Sequence, residues 1–200
     1  MYRSGFIAII GRPNVGKSTF FNAVIGDKIS IVTARPQTTR NRITGIKNFP
    51  DAQMIFLDTP GIHRAKTPLN RAMVQAAKET IGDADVLLVM ADATTRTDEE
   101  NFFLTEALAG VKAPVFLAIN KIDRIEKPLL LPMIDKLSKL HDFAGIFPVS
   151  SLKGEGLDRL VGCLKDALPE GPQLFPDDIT TDATERFIAG EFIRERITVL

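Results

Sequence analysis

Gly11-Arg12-Pro13-Asn14-Val15-Gly16-Lys17-Ser18 is the stretch that decides the fold of this chain. It fits G-x-x-x-x-G-K-[ST], it follows directly on the apolar run Phe6 to Ile10, and helical periodicity begins at Lys17. In that strand-loop-helix setting, glycines let backbone N–H groups wrap phosphate oxygens without a Cβ in the way, and the helix N-terminus adds positive potential. The pattern predicts that Asn14, Val15, Gly16 and Thr19 line nucleotide phosphates, that Lys17 reaches the β- and γ-phosphates, and that the Ser18 hydroxyl ligates Mg2+.

Outward from this loop, short apolar runs alternate with stretches of helical period, the pattern of βα units around a mostly parallel sheet. The strands read from the sequence are Phe6–Ile10, Arg42–Lys47, Met54–Asp58, Val86–Ala91, Val115–Asn120 and Ile146–Ser150. Helices are predicted at Lys17–Ile25, Leu69–Ile81, Glu99–Ala109, Leu130–His141 and Leu157–Ala167. The second and third strands are joined by little more than Asn48-Phe49-Pro50-Asp51, too short for a crossover helix, so they form an antiparallel hairpin. The expectation is an α/β P-loop NTPase fold: a six-stranded, mostly parallel sheet with one antiparallel hairpin strand and helices on both faces. Residues 1–168 form the nucleotide-binding domain, and 169–181, rich in proline, glycine and acids, reads as a linker. Residues 182–200 read as a further helix, with Asp182 as a candidate cap and Gly190 as an interior weakness.

The base is addressed by Asn120-Lys121-Ile122-Asp123, delivered by the fifth strand to the sheet edge where ligands bind. Asp123 can accept two hydrogen bonds from guanine N1–H and its exocyclic amine. Adenine offers neither there and leaves a desolvated carboxylate unpaired. Asn120 serves the N7 side of the base and the P-loop, and the Lys121 stem packs on the ring face. Ser150-Ser151-Leu152 resembles a guanine-binding turn in which Ser151 or Leu152 donates an N–H to O6. Asp58-Thr59-Pro60-Gly61 is D-x-x-G at a strand end, where Asp58 can hold Mg2+ through water and the Gly61 N–H can sense the γ-phosphate. That motif is weak alone, because Asp142-Phe143-Ala144-Gly145 matches too; the second copy precedes a strand and reads as a turn. Thr38 or Thr39 supplies a hydroxyl that closes over Mg2+ when the γ-phosphate is present. Together these motifs specify a G domain that binds GTP and GDP.

Lysine plus arginine equals aspartate plus glutamate at 25 each, so no global positive field draws the chain to nucleic acid. The lone Cys163 excludes a disulfide framework and fits a reducing compartment, with cytoplasm as the default. The longest apolar runs fall far short of the roughly 20 residues that span a bilayer, and the N-terminus lacks a signal-peptide core.

Four stretches together resemble the bacterial Era GTPases, in the TrmE-Era group: the P-loop, Gln37-Thr38-Thr39-Arg40, Asp58-Thr59-Pro60-Gly61-Ile62-His63 and Asn120-Lys121-Ile122-Asp123. The likeness runs from residue 5 to about 198, and the tail from Asp182 looks like the lead-in to the family's KH domain. It implies a GTP-hydrolysing factor in small ribosomal subunit assembly that binds ribosomal RNA and the 30S-type subunit and associates peripherally with the inner membrane. A KH domain clamps RNA with a G-x-x-G loop; none follows the tail before Leu200, so the RNA reader is expected to be missing or shortened. Ile62 stands where many GTPases carry a water-orienting glutamine. His63, Arg12, Arg35, Arg40 and Arg42 read as surface groups first and as catalytic groups second. In cation-dependent members of the group an asparagine matching Asn14 helps hold K+ near the β- and γ-phosphates. The resemblance therefore implies a catalytic set of Asn14, Lys17, Thr39 and Gly61, with metal ligation by Ser18, Asp58 and Thr38 or Thr39. The rival readings are a small-molecule kinase or ATPase, which leaves Asn120–Asp123 unexplained, and a nucleotide-gated RNA or protein binding module with incidental turnover.

Overall fold

Alternation of buried residues along β1 (Arg3–Gly11) sets the layering of the molecule. Ile7 and Ile9 join one apolar cluster, while Ala8 and Ile10 join another on the opposite face, as the two-residue period of a strand requires. The structure, a computed structural model, describes residues 1–32, 43–59, 80–95 and 108–199. The other strands are β2 (Ile43–Phe49), β3 (Ala52–Asp58), β4 (Val86–Asp92), β5 (Val115–Asn120) and β6 (Gly145–Pro148). They form a six-stranded sheet in the order β2-β3-β1-β4-β5-β6, in which only β2 and β3 pair antiparallel. The predicted hairpin and the mixed sheet are both present.

Helices cover both faces. α1 (Lys17–Ile25) buries Phe20, Phe21, Val24 and Ile25, and α3 (Leu157–Asp166) buries Leu157, Leu160 and Leu164, on the face of Ile7 and Ile9. α2 (Lys127–Ser138) places Met133 and Leu137 on the other face. α2 begins three residues earlier than expected because Pro128 sits in its first turn, where no amide donor is needed. The predicted helices at Leu69–Ile81 and Glu99–Ala109 lie largely outside the described residues, although residues 80–82 are helical. The second D-x-x-G copy, expected to be a turn, is an irregular loop at 142–144 with Gly145 opening β6.

The sheet explains where a ligand must sit. β1 lies between β3 and β4: the chain leaves it through α1 for the β2-β3 side and passes from β3 to β4 on the other side, so the strand order reverses beside β1, where such sheets open a crevice at their carboxyl ends. The loop after β1 is Arg12–Gly16.

Residues 169–181, read from composition as a linker, are hydrogen-bonded to the domain along their length. Ser4 N–H donates to the Pro169 carbonyl, Gly171 N–H to Tyr2 O and Ile46 N–H to Thr180 O. The buried Gln53 amide donates to Phe175 O and accepts from the Leu174 and Phe175 N–H groups. A proline-rich segment of low apolar content can still be ordered when backbone groups of a sheet edge need partners. The chain then enters α4 (Glu185–Val199), whose cap is Thr184 and not Asp182: the Thr184 hydroxyl accepts from Phe187 N–H at 3.3 Å. Both residue types cap well, and the chain direction set by the bonds at Thr180 and Thr181 selects the later one.

Candidate functional site

The phosphate loop takes its shape from two residues in the left-handed region, Asn14 at φ 64° and Gly16 at φ 101°. Asparagine is among the few non-glycine residues that tolerate this region. At Gly16 there is also no space: a Cβ would lie 2.3 Å from Asn120 Nδ2. The second glycine of the motif is therefore required by the approach of Asn120, at the end of β5, as well as by backbone conformation.

Lys17 opens α1, is buried, and donates from Nζ to the carbonyls of Gly11 at 3.1 Å and Arg12 at 3.0 Å. Its ammonium is thus held over the loop that the motif assigns to phosphate. Ser18 donates through Oγ to Asp58 Oδ2 at 2.9 Å, bringing together two residues 40 positions apart. A second hydroxyl, Ser30 Oγ, donates to the same oxygen at 2.8 Å. Asp58 is fully buried, and its other oxygen, Oδ1, is the one buried side-chain polar atom among the described residues without a hydrogen-bond partner. Burial pushes the Asp58 carboxyl above the usual carboxylate range, against the pull of the Lys17 charge and the two hydroxyls. A buried carboxylate oxygen with no donor, next to a serine hydroxyl, is a donor set for a hard cation.

Asn120 ties the two halves of the site together. Its Nδ2 donates to the Val15 carbonyl at 2.8 Å, and its Oδ1 accepts from the N–H and hydroxyl of Ser151. The predicted bond from Asn120 to the P-loop is present. Lys121 adopts φ 65° and its Nζ donates to Asn14 O at 2.6 Å and to Asp92 Oδ2 at 2.5 Å. That pins the lysine between the phosphate loop and the end of β4. Asp123 accepts from Ser150 Oγ at 2.6 Å, and this bond is the main reason its carboxyl lies below the ordinary range, ionised and acceptor-only at neutral pH. Leu152 stands exposed beyond Ser151.

Thr59, the second residue of D-x-x-G, anchors the end of β3 by donating to Ile9 O at 2.6 Å. Thr38, Thr39, Gly61, Ile62, His63, Arg35, Arg40 and Arg42 lie outside the described residues. Two contributors escaped the motif reading. Asp92 closes β4, accepts from the Thr94 N–H and hydroxyl through Oδ1, and holds Lys121 through Oδ2. Its place at the carboxyl end of a central strand was the available signal. Ser30 is the single polar residue in Ile29-Ser30-Ile31-Val32, and a lone hydroxyl in an apolar run asks for a buried partner.

Known proteins match this arrangement. Residues 6–121 match the family model described as 50S ribosome-binding GTPase. The chain is 54% identical over 200 residues to GTPase Era of Syntrophus aciditrophicus (strain SB), which covers all of this chain and 65% of that protein. To GTPase Era of Geotalea uraniireducens (strain Rf4) it is 52% identical over 196 residues, covering 98% of this chain and 66% of that protein. The chain thus spans just under two thirds of the length of these relatives. Among solved structures, Era crystallised with MgGDPNP and a stretch of 16S ribosomal RNA superposes with a TM-score of 0.90 at 44% identity, covering 98% of this chain and 67% of that one. Aquifex aeolicus Era bound to GDP.AlF4- gives a TM-score of 0.89 at 44% identity, covering 97% and 66%. By the family model matched over residues 6–121 and by its identity with relatives named GTPase Era, the chain belongs to the Era GTPases.

Proposed function

We propose that this chain binds GTP and GDP with Mg2+, hydrolyses GTP slowly, and serves in its full-length protein as a nucleotide-controlled factor for the small ribosomal subunit. The observation that carries the nucleotide reading is Asn120, whose amide holds the P-loop at Val15 and the base turn at Ser151 in one set of bonds. In this reading Asp123, aligned by Ser150, pairs with guanine N1–H and the exocyclic amine. The Ser151 N–H is committed to Asn120, so Leu152 supplies the donor to O6. Lys121, fixed by Asp92 and the Asn14 carbonyl, covers the ring face.

On the phosphate side Asn14, Val15, Gly16 and Thr19 supply backbone donors, and Lys17 turns from its own loop carbonyls to the β- and γ-oxygens. Ser18 and Asp58 are the residues that would hold Mg2+, with Thr38 or Thr39 joining them and the Gly61 N–H meeting the γ-phosphate. The ion, when bound, neutralises charge on the β- and γ-oxygens. In hydrolysis a water oxygen bonds to the γ-phosphorus as the bond to the β–γ bridging oxygen breaks, and GDP and inorganic phosphate leave. The finer catalytic proposal is that Asn14 helps hold a K+ ion whose charge acts as an arginine finger would, a contribution of about 10³ to 10⁵ in rate. Equal hydrolysis in K+ and Na+, with Asn14→Ala unaltered, would sink it.

The relative crystallised with a 16S ribosomal RNA segment supports a small-subunit partner, whereas the broader family description names the 50S particle. In the proposal α4 begins a KH-type RNA-binding domain, and the protein works in the cytoplasm. Among the described residues no helix is long and apolar enough to cross a membrane.

The test is equilibrium binding of GTP, GDP and ATP analogues with Mg2+, with Asp123→Asn alongside. Guanine preference that drops by about 10² to 10⁴ in the variant supports the reading. Equal ATP binding would refute it.

A further inference from the structure

We infer that Ser30 is a positioning residue for Asp58, fixing its carboxylate beside Ser18, where the divalent cation would be held, and so setting how strongly Mg2+ tightens nucleotide binding. The inference rests on the Mg2+-nucleotide reading above. Ser30 lies outside every nucleotide motif of the chain, in the segment between α1 and the residues from 33 onward. It is fully buried, and its hydroxyl donates to Asp58 Oδ2 at 2.8 Å.

The backbone that carries it is held independently of that bond. Asn22, on α1, accepts the Ile29 and Ser30 N–H groups at 3.1 and 2.9 Å and donates to Ser30 O at 2.7 Å. On either side of Ser30, the Glu195 carboxylate of α4 accepts from Lys28 Nζ at 2.5 Å and from Val32 N–H at 3.0 Å. The serine therefore sits on a clamped segment, and its hydroxyl is aimed.

The consequence follows from lone-pair accounting. A carboxylate offers about four acceptor sites over two oxygens. Ser18 and Ser30 both donate to Oδ2, which stops rotation of the group and leaves Oδ1 without a donor in a fully buried position. Ser18 can give a lone pair to a cation while its O–H stays on Oδ2, and Ser30 supplies the second, independently anchored bond that keeps the carboxylate plane fixed. Without it, Asp58 can rotate and present either oxygen, and cation binding must then order the carboxylate itself. A hydrogen bond to a charged group of this kind is worth about tenfold or more in an equilibrium constant.

The experiment is a Mg2+ titration of fluorescent GDP affinity in the wild-type chain, Ser30→Ala, Ser30→Thr, Asp58→Asn and the Ser30→Ala/Asp58→Asn double variant, with each affinity also measured in EDTA. The expected result is that Ser30→Ala needs about tenfold more Mg2+ for half of the tightening while its EDTA affinity matches wild type. Ser30→Thr, which keeps the hydroxyl, recovers part of the shift, and Ser30→Ala adds nothing in the Asp58→Asn background. An unchanged Mg2+ midpoint, or an equal loss of GDP affinity with and without Mg2+, overturns the inference. So does an undiminished Ser30→Ala effect once Asp58 is replaced. If wild-type GDP affinity itself shows no Mg2+ dependence, the functional reading fails instead, before any variant is compared.

Discussion

At the residue scale, Asp58 and Gly16 make opposite demands on their surroundings. Asp58 is a carboxylate that the fold buries and raises above its usual 3.8. A raised folded value means that the native chain binds more protons than the unfolded one between 3.8 and that value. Its contribution to stability is then present at low pH and is lost as pH rises through the folded value. Without Mg2+ or nucleotide, the Tm of wild type relative to Asp58→Asn should fall as pH rises over this window; a flat difference would show that Asp58 does not titrate there. Saturating Mg2+ and GDP should flatten the curve, because a cation favours the ionised carboxylate. Gly16 leaves no room for any side chain. Gly16→Ala forces a Cβ against Asn120 Nδ2 in a left-handed backbone, so we expect loss of measurable GDP binding and about 1–3 kcal/mol of stability in urea unfolding. The glycine requirement and the identity of the carboxylate were legible in the sequence. That Asn120 is the atom opposing a Cβ was not, since 104 residues separate the two positions and only the β1-β4-β5 pairing brings their ends together.

At the element scale, α4 was legible as a helix but not in its docking. Its sequence has a weak apolar face, with Ile193 and Ile197 exposed, and Gly190 in its interior. What seats it is polar: Glu195 is buried against Lys28 and the Val32 N–H, and Phe187 packs on the larger core cluster. Burial alone would raise the Glu195 carboxyl, but Lys28 and the amide outweigh it and its value lies below the ordinary range. A depressed carboxylate stabilises above its unfolded value of 4.5 and loses that contribution as pH falls through the folded value. Glu195→Ala should cost about 1–3 kcal/mol, because it leaves Val32 N–H without its acceptor, and should speed amide exchange at Val32 and along α4. Unchanged exchange at Val32 would mean that the helix is held elsewhere. The sequence shows α4 as a charged helix without showing which of its glutamates is buried, since that depends on the loop that faces it.

At the scale of the whole molecule, the segment after Leu168 is part of the domain's hydrogen-bonding economy. It satisfies Gln53, meets β1 at Arg3 and Ser4, and lies along the edge strand β2 at Thr44, Ile46 and Asn48. A chain ending at Leu168 should lose about 2–3 kcal/mol, lower the Tm by roughly 5–10 °C and self-associate through the uncovered edge, as judged by calorimetry and light scattering. Equal Tm and a monomeric state would return the segment to the role of a passive linker. Reading the residues alone gives the α/β class, the antiparallel hairpin and the motifs proposed here to hold phosphate and base. Those follow from periods of two and 3.6 residues, a loop too short for a crossover, and side-chain chemistry that few other motifs share. The folded arrangement is what makes Ser30 and Ser18 share one oxygen of Asp58, sets Asp92 against Lys121, and straps a proline-rich stretch along the sheet edge. These are contacts between residues far apart in the chain, and local periodicity carries no record of which distant backbone group is left needing a partner.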